Sequence, residues 1–309
     1  MSTLPTLPPI LLLVGPTAVG KTETALQIAE RLNAEIISAD SRTFYRGMDI
    51  GTAKPTAAER ARIPHHLIDI ADPDERWSLA GFQEAVYTVI DEVHARGKLA
   101  LLVGGTGQYV HAITQGWVVP PQEPDNGLRE ALERWAAEIG GERLHAGLAK
   151  MDPVAAEHID WHNVRRTVRA LEVVFRTGQR FSDQQKRGQA RYRVVQVGLI
   201  RPRADLYARI DARIEMMIEA GWVEEVRTLL AQGYSPHLPS LSAIGYREII
   251  QYLQGKHSLE EAVVLIKRNT RQFVRRQANW FKADDPDIRW FSAEAGVGDE
   301  VVNYLTSII

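Results

Sequence analysis

Eight consecutive residues, Gly15-Pro16-Thr17-Ala18-Val19-Gly20-Lys21-Thr22, carry the chemistry of a loop that wraps phosphate oxygens. Two glycines permit the tight turn, the Lys21 ammonium meets anionic oxygens, and the Thr22 hydroxyl suits a magnesium ion. The second reactive group is a carboxylate, Asp40, followed by Ser41, Arg42 and Thr43. Two readings of Asp40 stand side by side. It is a base that takes a proton from a nucleophile attacking something attached to the bound phosphates, a role worth about 10²- to 10⁴-fold in rate. Or it caps a turn and helps hold the metal.

A phosphate loop usually serves a nucleoside triphosphatase or a kinase. Most triphosphatases place an acidic residue at the end of a second hydrophobic strand, for magnesium and its attacking water. Here the apolar run Leu99 to Val103 opens into Gly104-Gly105-Thr106-Gly107, without a carboxylate. That argues against a hydrolytic motor.

These groups need elements to position them. Ile10 to Val14 reads as a buried strand, and Ala25, Ile28, Ala29 and Leu32 recur at helical spacing, so a helix N-terminus points its amides into the loop. Met1 to Pro9 reads as a loose tail. Glu35 to Ala39 is a second strand, and in a doubly wound sheet ligands gather at the carboxyl ends of strands, which puts Asp40 near the loop. Met48 to Pro55 is a loop and His65 to Ile70 a third strand. His65 and His66 make a turn beside that strand rather than a metal site, for want of a third ligand. Ser78 caps a helix through Phe82, Val86, Val89, Ile90 and Val93, stopped by Gly97. From Val119 to Arg193 no strand pattern survives: Pro120, Pro121 and Pro124 lead into helical stretches around 128–139, 144–151 and 164–175. Val194 to Ile200 restores strand character, Leu206 to Ile218 marks a helix ended by Gly221, and Ser258 with Glu261 boxes a long final helix reaching about Phe281. The expected fold is α/β: a P-loop NTPase-like, doubly wound parallel sheet, in two parts over 1–118 and 194–309, with an all-helical subdomain inserted at 119–193.

The 309 residues suffice for a substantial core, and 45% hydrophobic with 25% charged residues is ordinary for a soluble chain. No apolar run approaches the length of a membrane helix, so the expected location is the cytoplasm. Without cysteine there is no disulfide, thiolate nucleophile or cysteine-bound zinc. Lys and Arg total 37 against 39 Asp and Glu, a net charge of -2, yet the cations segregate. Arg165, Arg166, Arg169, Arg176, Arg180, Lys186, Arg187, Arg191 and Arg193 face only Glu172 and Asp183. Lys267, Arg268, Arg271, Arg275 and Arg276 lie on the last helix beside Phe273, Trp280 and Phe281. Two such runs point to a polyanionic partner, against the plainer reading of solvated faces. Ser240 to Glu248 either presents a turn, an aromatic and an arginine to RNA or starts a helix.

Together, Gly15 to Thr22, Ser38-Ala39-Asp40-Ser41, Tyr45 to Pro55, Pro64-His65-His66, Leu102 to Gly107, Arg169 to Val173 and Ala243 to Glu248 resemble the signature stretches of the bacterial tRNA dimethylallyltransferase family. The likeness runs over nearly the whole chain. It implies transfer of a dimethylallyl group from dimethylallyl diphosphate to N6 of the adenosine just 3′ of the anticodon (position 37), in tRNAs reading codons that begin with U. By it, Gly15, Pro16, Thr17, Ala18, Val19, Gly20, Lys21 and Thr22 hold a diphosphate leaving group, Thr22 places magnesium, and Asp40 is the general base. Thr106 is implied at the reacting centre and Arg213 as a further diphosphate contact. Asp40, Ser41, Arg42, Thr43, Thr106, Arg129, Arg165, Arg166, Thr167, Val168, Arg169, Ser242, Ala243, Ile244, Gly245, Tyr246 and Arg247 are implied as contacts to the anticodon stem-loop. A monomer is expected. Rivals are an adenylate isopentenyltransferase acting on free AMP, ADP or ATP, on which the helical insertion and basic last helix would be idle, a P-loop kinase, and a non-catalytic RNA-binding protein.

Overall fold

The computed structural model describes residues 7–117, 126–185 and 190–309. Val119, Pro120, Pro121 and Pro124, the cations Lys186 and Arg187, and most of the amino-terminal tail lie outside the described residues. The chain divides into two compact units, one of Met1–Trp77, Phe82–Thr114 and Ala190–Ile309, the other of Ser78–Gly81 and Gln115–Gln189.

The first unit is built on six parallel strands: β1 (Pro9–Val14), β2 (Ala34–Ser38), β3 (His65–His66), β4 (Leu99–Val103), β5 (Arg193–Ile200) and β6 (Ile288–Ser292), in the order β3-β2-β4-β1-β5-β6. Central β1 is apolar throughout and buried on both faces, as a parallel strand covered by helices must be. Its helices are α1 (Lys21–Arg31), α2 (Ala57–Arg62), α3 (Leu79–Ala95), α4 (Gly107–Thr114), and, numbered after those of the second unit, α9 (Arg203–Glu219), α10 (Trp222–Ala231), α11 (Tyr246–Leu253), α12 (Leu259–Gln277) and α13 (Val297–Thr306). The second unit holds α5 (Asn126–Ile139), α6 (Gly141–Met151), α7 (Pro153–His158) and α8 (Val164–Thr177), closed on Leu132, Leu144, Leu148, Val168 and Leu171.

Local signals predicted several of these boundaries. The Gly81 amide donates to Ser78 Oγ at 3.0 Å, and Ser258 with Glu261 forms the capping box that opens α12. Others differ. Pro9 is no tail residue but the first of β1, paired with Arg193. The third strand is two residues long, because Leu67 and Asp69 adopt φ of 59° and 56°, which no strand accommodates. The basic helix stops at Gln277 and is not the last element: β6 and α13 follow, and β6 pairs with β5 from Gln196–Ile288 to Ile200–Ser292. Gly198 makes that strand possible, since a Cβ there would lie 2.4 Å from Trp290 Cε3. Gly221, at φ 99°, both stops α9 and opens α10.

Register sets the site. Leu13 and Ser38 both pair with Val103, so β1, β2 and β4 end level. The loop after β1, Asp40 after β2 and Gly104 after β4 therefore emerge along one carboxyl edge.

Candidate functional site

The phosphate loop leaves β1 at Gly15, whose backbone runs so close to β5 that a Cβ would meet Leu199 O at 2.7 Å. It closes at Gly20, which takes φ 119° as the N-cap of α1 with no side chain capping the helix, so the first-turn amides face the loop. Lys21 folds back across it and donates to Gly15 O and Pro16 O, both at 2.9 Å. Thr22 is exposed beside it. Two side chains from far away pin the outer strand of the loop. Arg209 Nε on α9 donates to Ala18 O at 2.9 Å, steadying a non-glycine residue at φ 66°. Gln277, the last residue of α12, accepts from Thr17 N at 2.9 Å.

Asp40 heads a tight turn. Its Oδ1 accepts from Arg42 N at 3.0 Å, its carbonyl accepts from Thr43 Oγ1 at 2.9 Å, and the Ser38 and Thr43 hydroxyls pair at 2.8 Å. The turn-cap reading of Asp40 thus describes one carboxylate oxygen. Burial draws the Lys21 ammonium down to about 8, opposed by the charge of Asp40 and reinforced by that of Arg213. Burial likewise lowers the Arg213 guanidinium, again opposed by Asp40. Three elements, α1, the β2 turn and α9, thereby bring a carboxylate and two desolvated cations within electrostatic reach of one another.

Gly104 packs on the β2 turn, where a Cβ would lie 2.5 Å from Ala39 O, and Thr106 follows, half-buried, at the start of α4. Next to it Phe82 and Tyr109 stack at 4.3 Å, with Phe44 against both, and burial pushes the Tyr109 hydroxyl up to about 12.

The remaining sequence-derived positions separate by burial. Arg42 Nη1 donates to Pro239 O and Ser240 O at 3.0 and 3.2 Å, tying the Asp40 turn to the segment that carries Ser242 to Arg247. In that segment Ser242 and Arg247 are exposed, whereas Ala243 and Gly245 are buried and Ile244 is half-buried. Tyr246 is 0% exposed: its ring packs edge-on to Trp222 and its hydroxyl donates to Glu225 at 2.6 Å. It is a core residue that starts α11, so the ring is not a stacking surface. In the helical unit Arg165 and Arg166 are exposed on the first turn of α8, while Thr167 and Val168 are interior. Arg129 and Arg169 both bind Glu172, at 2.7 and 3.0 Å. Burial pushes that carboxyl up, but the two guanidinium hydrogen bonds overcome it and hold it below its usual range. On α12, Lys267 pairs with Glu215 and Arg271 with Asp211, leaving Arg268, Arg275 and Arg276 as the exposed cations. His65 and His66 face Ile63 O and Glu35.

Behind the Tyr45–Pro55 stretch sits a brace that periodicity does not announce. Glu225 on α10 accepts from the amides of Asp49, Ile50 and Gly51 at 2.8, 2.6 and 3.2 Å, besides the Tyr246 hydroxyl. Glu225→Ala strands these donors and is expected to cost about 2–4 kcal/mol in denaturant unfolding. A loss below about 0.5 kcal/mol would show that the brace is idle.

The sheet and its first loop define a P-loop-like α/β protein, and the cluster of Lys21, Arg213 and Asp40 at its carboxyl edge suits an enzyme that handles a phosphorylated substrate. The family model described as IPP transferase matches residues 43–284, and that described as isopentenyl transferase matches residues 8–70. A tRNA dimethylallyltransferase of Roseiflexus castenholzii is 52% identical over 289 residues, covering 91% of this chain and 94% of the relative. The structure of a tRNA isopentenylpyrophosphate transferase from Bacillus halodurans superposes with a TM-score of 0.72 at 41% identity, over 96% of this chain and 95% of that one. A eukaryotic dimethylallyltransferase acting on tRNA gives 0.80 at 26% identity, over 97% of this chain and 78% of that one. This chain belongs to the IPP transferase family.

Sequence reasoning did not single out Arg209 and Gln277. Gln277 sits in a run of arginines and reads there as one more solvated polar residue, yet it is 5% exposed. A clue is present in Gly105 and Gly107, which make room for Gln277 and Trp280: a Cβ would lie 2.2 Å from Gln277 Nε2 at the first and 2.1 Å from Trp280 Cγ at the second.

Proposed function

We propose that the protein prenylates tRNA, moving a dimethylallyl group from dimethylallyl diphosphate to N6 of the adenosine 3′ to the anticodon, at position 37, in tRNAs that read codons starting with U. The observation that carries this reading is that the phosphate loop, with Lys21 folded across Gly15 O and Pro16 O, opens on the same carboxyl edge of the sheet from which the Asp40 turn emerges. A base and a diphosphate clamp in one place fit displacement at an allylic carbon. The C1–O bond to diphosphate breaks, the N6–C1 bond forms, the leaving oxygen keeps the electron pair, and the N6 proton passes to Asp40. The adenine amine is a poor nucleophile, since its lone pair is delocalised into the ring, so placement and proton removal both count. Lys21, Arg213 and the loop amides stabilise charge as it develops on the diphosphate. Thr106 stands at the reacting centre.

Magnesium fits this site as a guest of the diphosphate. The exposed Thr22 hydroxyl is a hard oxygen donor, and among the described residues no group of three or more histidines or carboxylates forms a cage, so diphosphate oxygens and water would complete its shell. The ion would neutralise charge on the departing diphosphate.

The base must leave its stack to reach Asp40, at a cost of a few kcal/mol. Arg165 and Arg166 on α8, and Arg268, Arg275 and Arg276 on α12, supply exposed phosphate contacts. Thr167, Val168 and Tyr246 serve by shaping the backbone around them, and Arg129 by its pairing with Glu172. Among the described residues no helix is long and apolar enough to cross a membrane. We take the active species to be a monomer.

The test is incubation with dimethylallyl diphosphate, magnesium and either an anticodon stem-loop or free AMP, followed by nucleoside mass spectrometry. N6-isopentenyladenosine in the RNA alone supports the reading, and product on AMP alone overturns it. RNA affinity should also fall with salt, log K against log salt having a slope of about −0.7 to −0.9 per phosphate contact. A flat response between low and high salt would remove the polyanion partner.

A further inference from the structure

Gln277 is a buried amide that ends the basic helix and reaches into the space between two loops. Its Oε1 accepts from Thr17 N at 2.9 Å and from Thr17 Oγ1 at 3.3 Å, while its Nε2 donates to Gly105 O at 3.1 Å. Thr17 belongs to the diphosphate loop, and Gly105 precedes Thr106. We infer that Gln277 is a positioning residue that fixes the distance between the leaving-group loop and the reacting centre. This rests on the function proposed above.

The residue type is dictated at both ends. One end must accept from an amide and a hydroxyl, and the other must donate to a carbonyl, so only a side-chain amide of this length serves both. Glutamate keeps the Thr17 contacts but faces the Gly105 carbonyl with an acceptor, and methionine loses both ends. Gly105 is the matching half, because any Cβ would displace the Gln277 amide. The bridge also removes Thr17 N from the amides available to the ligand, leaving those nearer α1 to grip the diphosphate. Transfer requires the carbon to pass from an oxygen held by the loop to a nitrogen held near Thr106. Reaction geometry of this kind is unforgiving: a shift of about 1 Å costs on the order of 10² in rate.

The test compares wild type with Gln277→Met, Gln277→Glu and Gly105→Ala. Melting temperature serves as the fold control, and the readouts are kcat and KM for prenyl transfer, inorganic pyrophosphate affinity without RNA, and hydrogen exchange of the peptide spanning Gly15 to Thr22. We expect folded Gln277→Met and Gly105→Ala to lose kcat about 10²-fold with KM for dimethylallyl diphosphate changed less than about fivefold, and the Thr17 amide to exchange faster in Gln277→Met. Gln277→Glu should retain slow exchange at Thr17 yet lose kcat, since only the Gly105 end is broken. A kcat within threefold of wild type in folded Gln277→Met, or unchanged exchange at Thr17, overturns the inference. Should Gln277→Met not fold, the threefold kcat limit applies to Gln277→Glu and Gly105→Ala, and the exchange limit to Gly105→Ala alone. The exchange and pyrophosphate measurements need no RNA, so they stand even if the wild-type protein leaves the stem-loop unmodified, which would count against the proposed function instead.

Discussion

Asp40→Asn is expected to slow prenyl transfer about 10²- to 10⁴-fold while leaving the fold intact. An asparagine keeps an Oδ1 to accept from Arg42 N, so the turn that ties β2 to the 239–240 segment survives. On the proposed mechanism it loses the basicity that takes the N6 proton. It also removes the negative charge that partly compensates Lys21 and Arg213. Pyrophosphate should therefore bind Asp40→Asn as tightly as wild type or tighter, even as turnover falls. Single-turnover rates beside calorimetric pyrophosphate affinities separate the roles. A rate within tenfold of wild type would dismiss the base. Weaker pyrophosphate binding would recast Asp40 as a metal-holding group.

Lys21→Met should lower kcat/KM on the order of 10²- to 10³-fold, the loss of one preorganised charge aimed at the leaving group. The wild-type lysine also carries a pH signature. Burial lowers it from 10.5 to about 8, so the folded protein gives up a proton that the unfolded chain retains. Below about pH 8 the lysine is charged in both states and the full burial penalty is felt. Between about 8 and 10.5 the penalty is relieved, so wild type gains stability relative to Lys21→Met as pH rises through that window. Diphosphate affinity moves the other way, because a discharged lysine must regain its proton to hold the anion. Melting temperatures and pyrophosphate titrations on both proteins from pH 7 to 10 read the two trends. Parallel pH profiles for wild type and Lys21→Met would show that the lysine does not titrate there.

The parts of the site that are local in sequence were legible in it. Gly15 to Thr22, the strand before it and the helix after it form one contiguous signal, and Asp40 and Gly104 follow apolar runs whose ends a parallel sheet must bring together. What escaped depends on partners far along the chain. Thr17 and Gln277 are 260 positions apart, and no periodicity links them. For Tyr246 the sequence leaves an RNA-facing aromatic and a helix start both open; it starts α11, and its burial depends on Glu225 from another helix, which receives its hydroxyl. β6 was hidden because its half-exposed Ile288–Ser292 pattern is short and weak, and it becomes a strand only beside Gly198. The two basic runs overstate the free charge: Glu172, inside the first run, pairs with Arg169, while Glu215 and Asp211, distant in sequence from the second run, pair with Lys267 and Arg271.

Glu225 and the phosphate loop answer the same question in opposite ways. At Asp49–Gly51 successive backbone amides converge on a carboxylate that the chain itself supplies. At Gly15–Thr22 the chain supplies only a cation, parked on its own carbonyls at Gly15 and Pro16. The first concavity is sealed from within and deaf to solutes. The second is closed only by contacts that a diphosphate, on the function proposed above, would replace: Lys21 would exchange two carbonyls for phosphate oxygens. A ligand with several charged oxygens would make that exchange gainful, so the proposed reading gives a diphosphate an advantage over smaller or less charged solutes before any part of its organic tail is recognised.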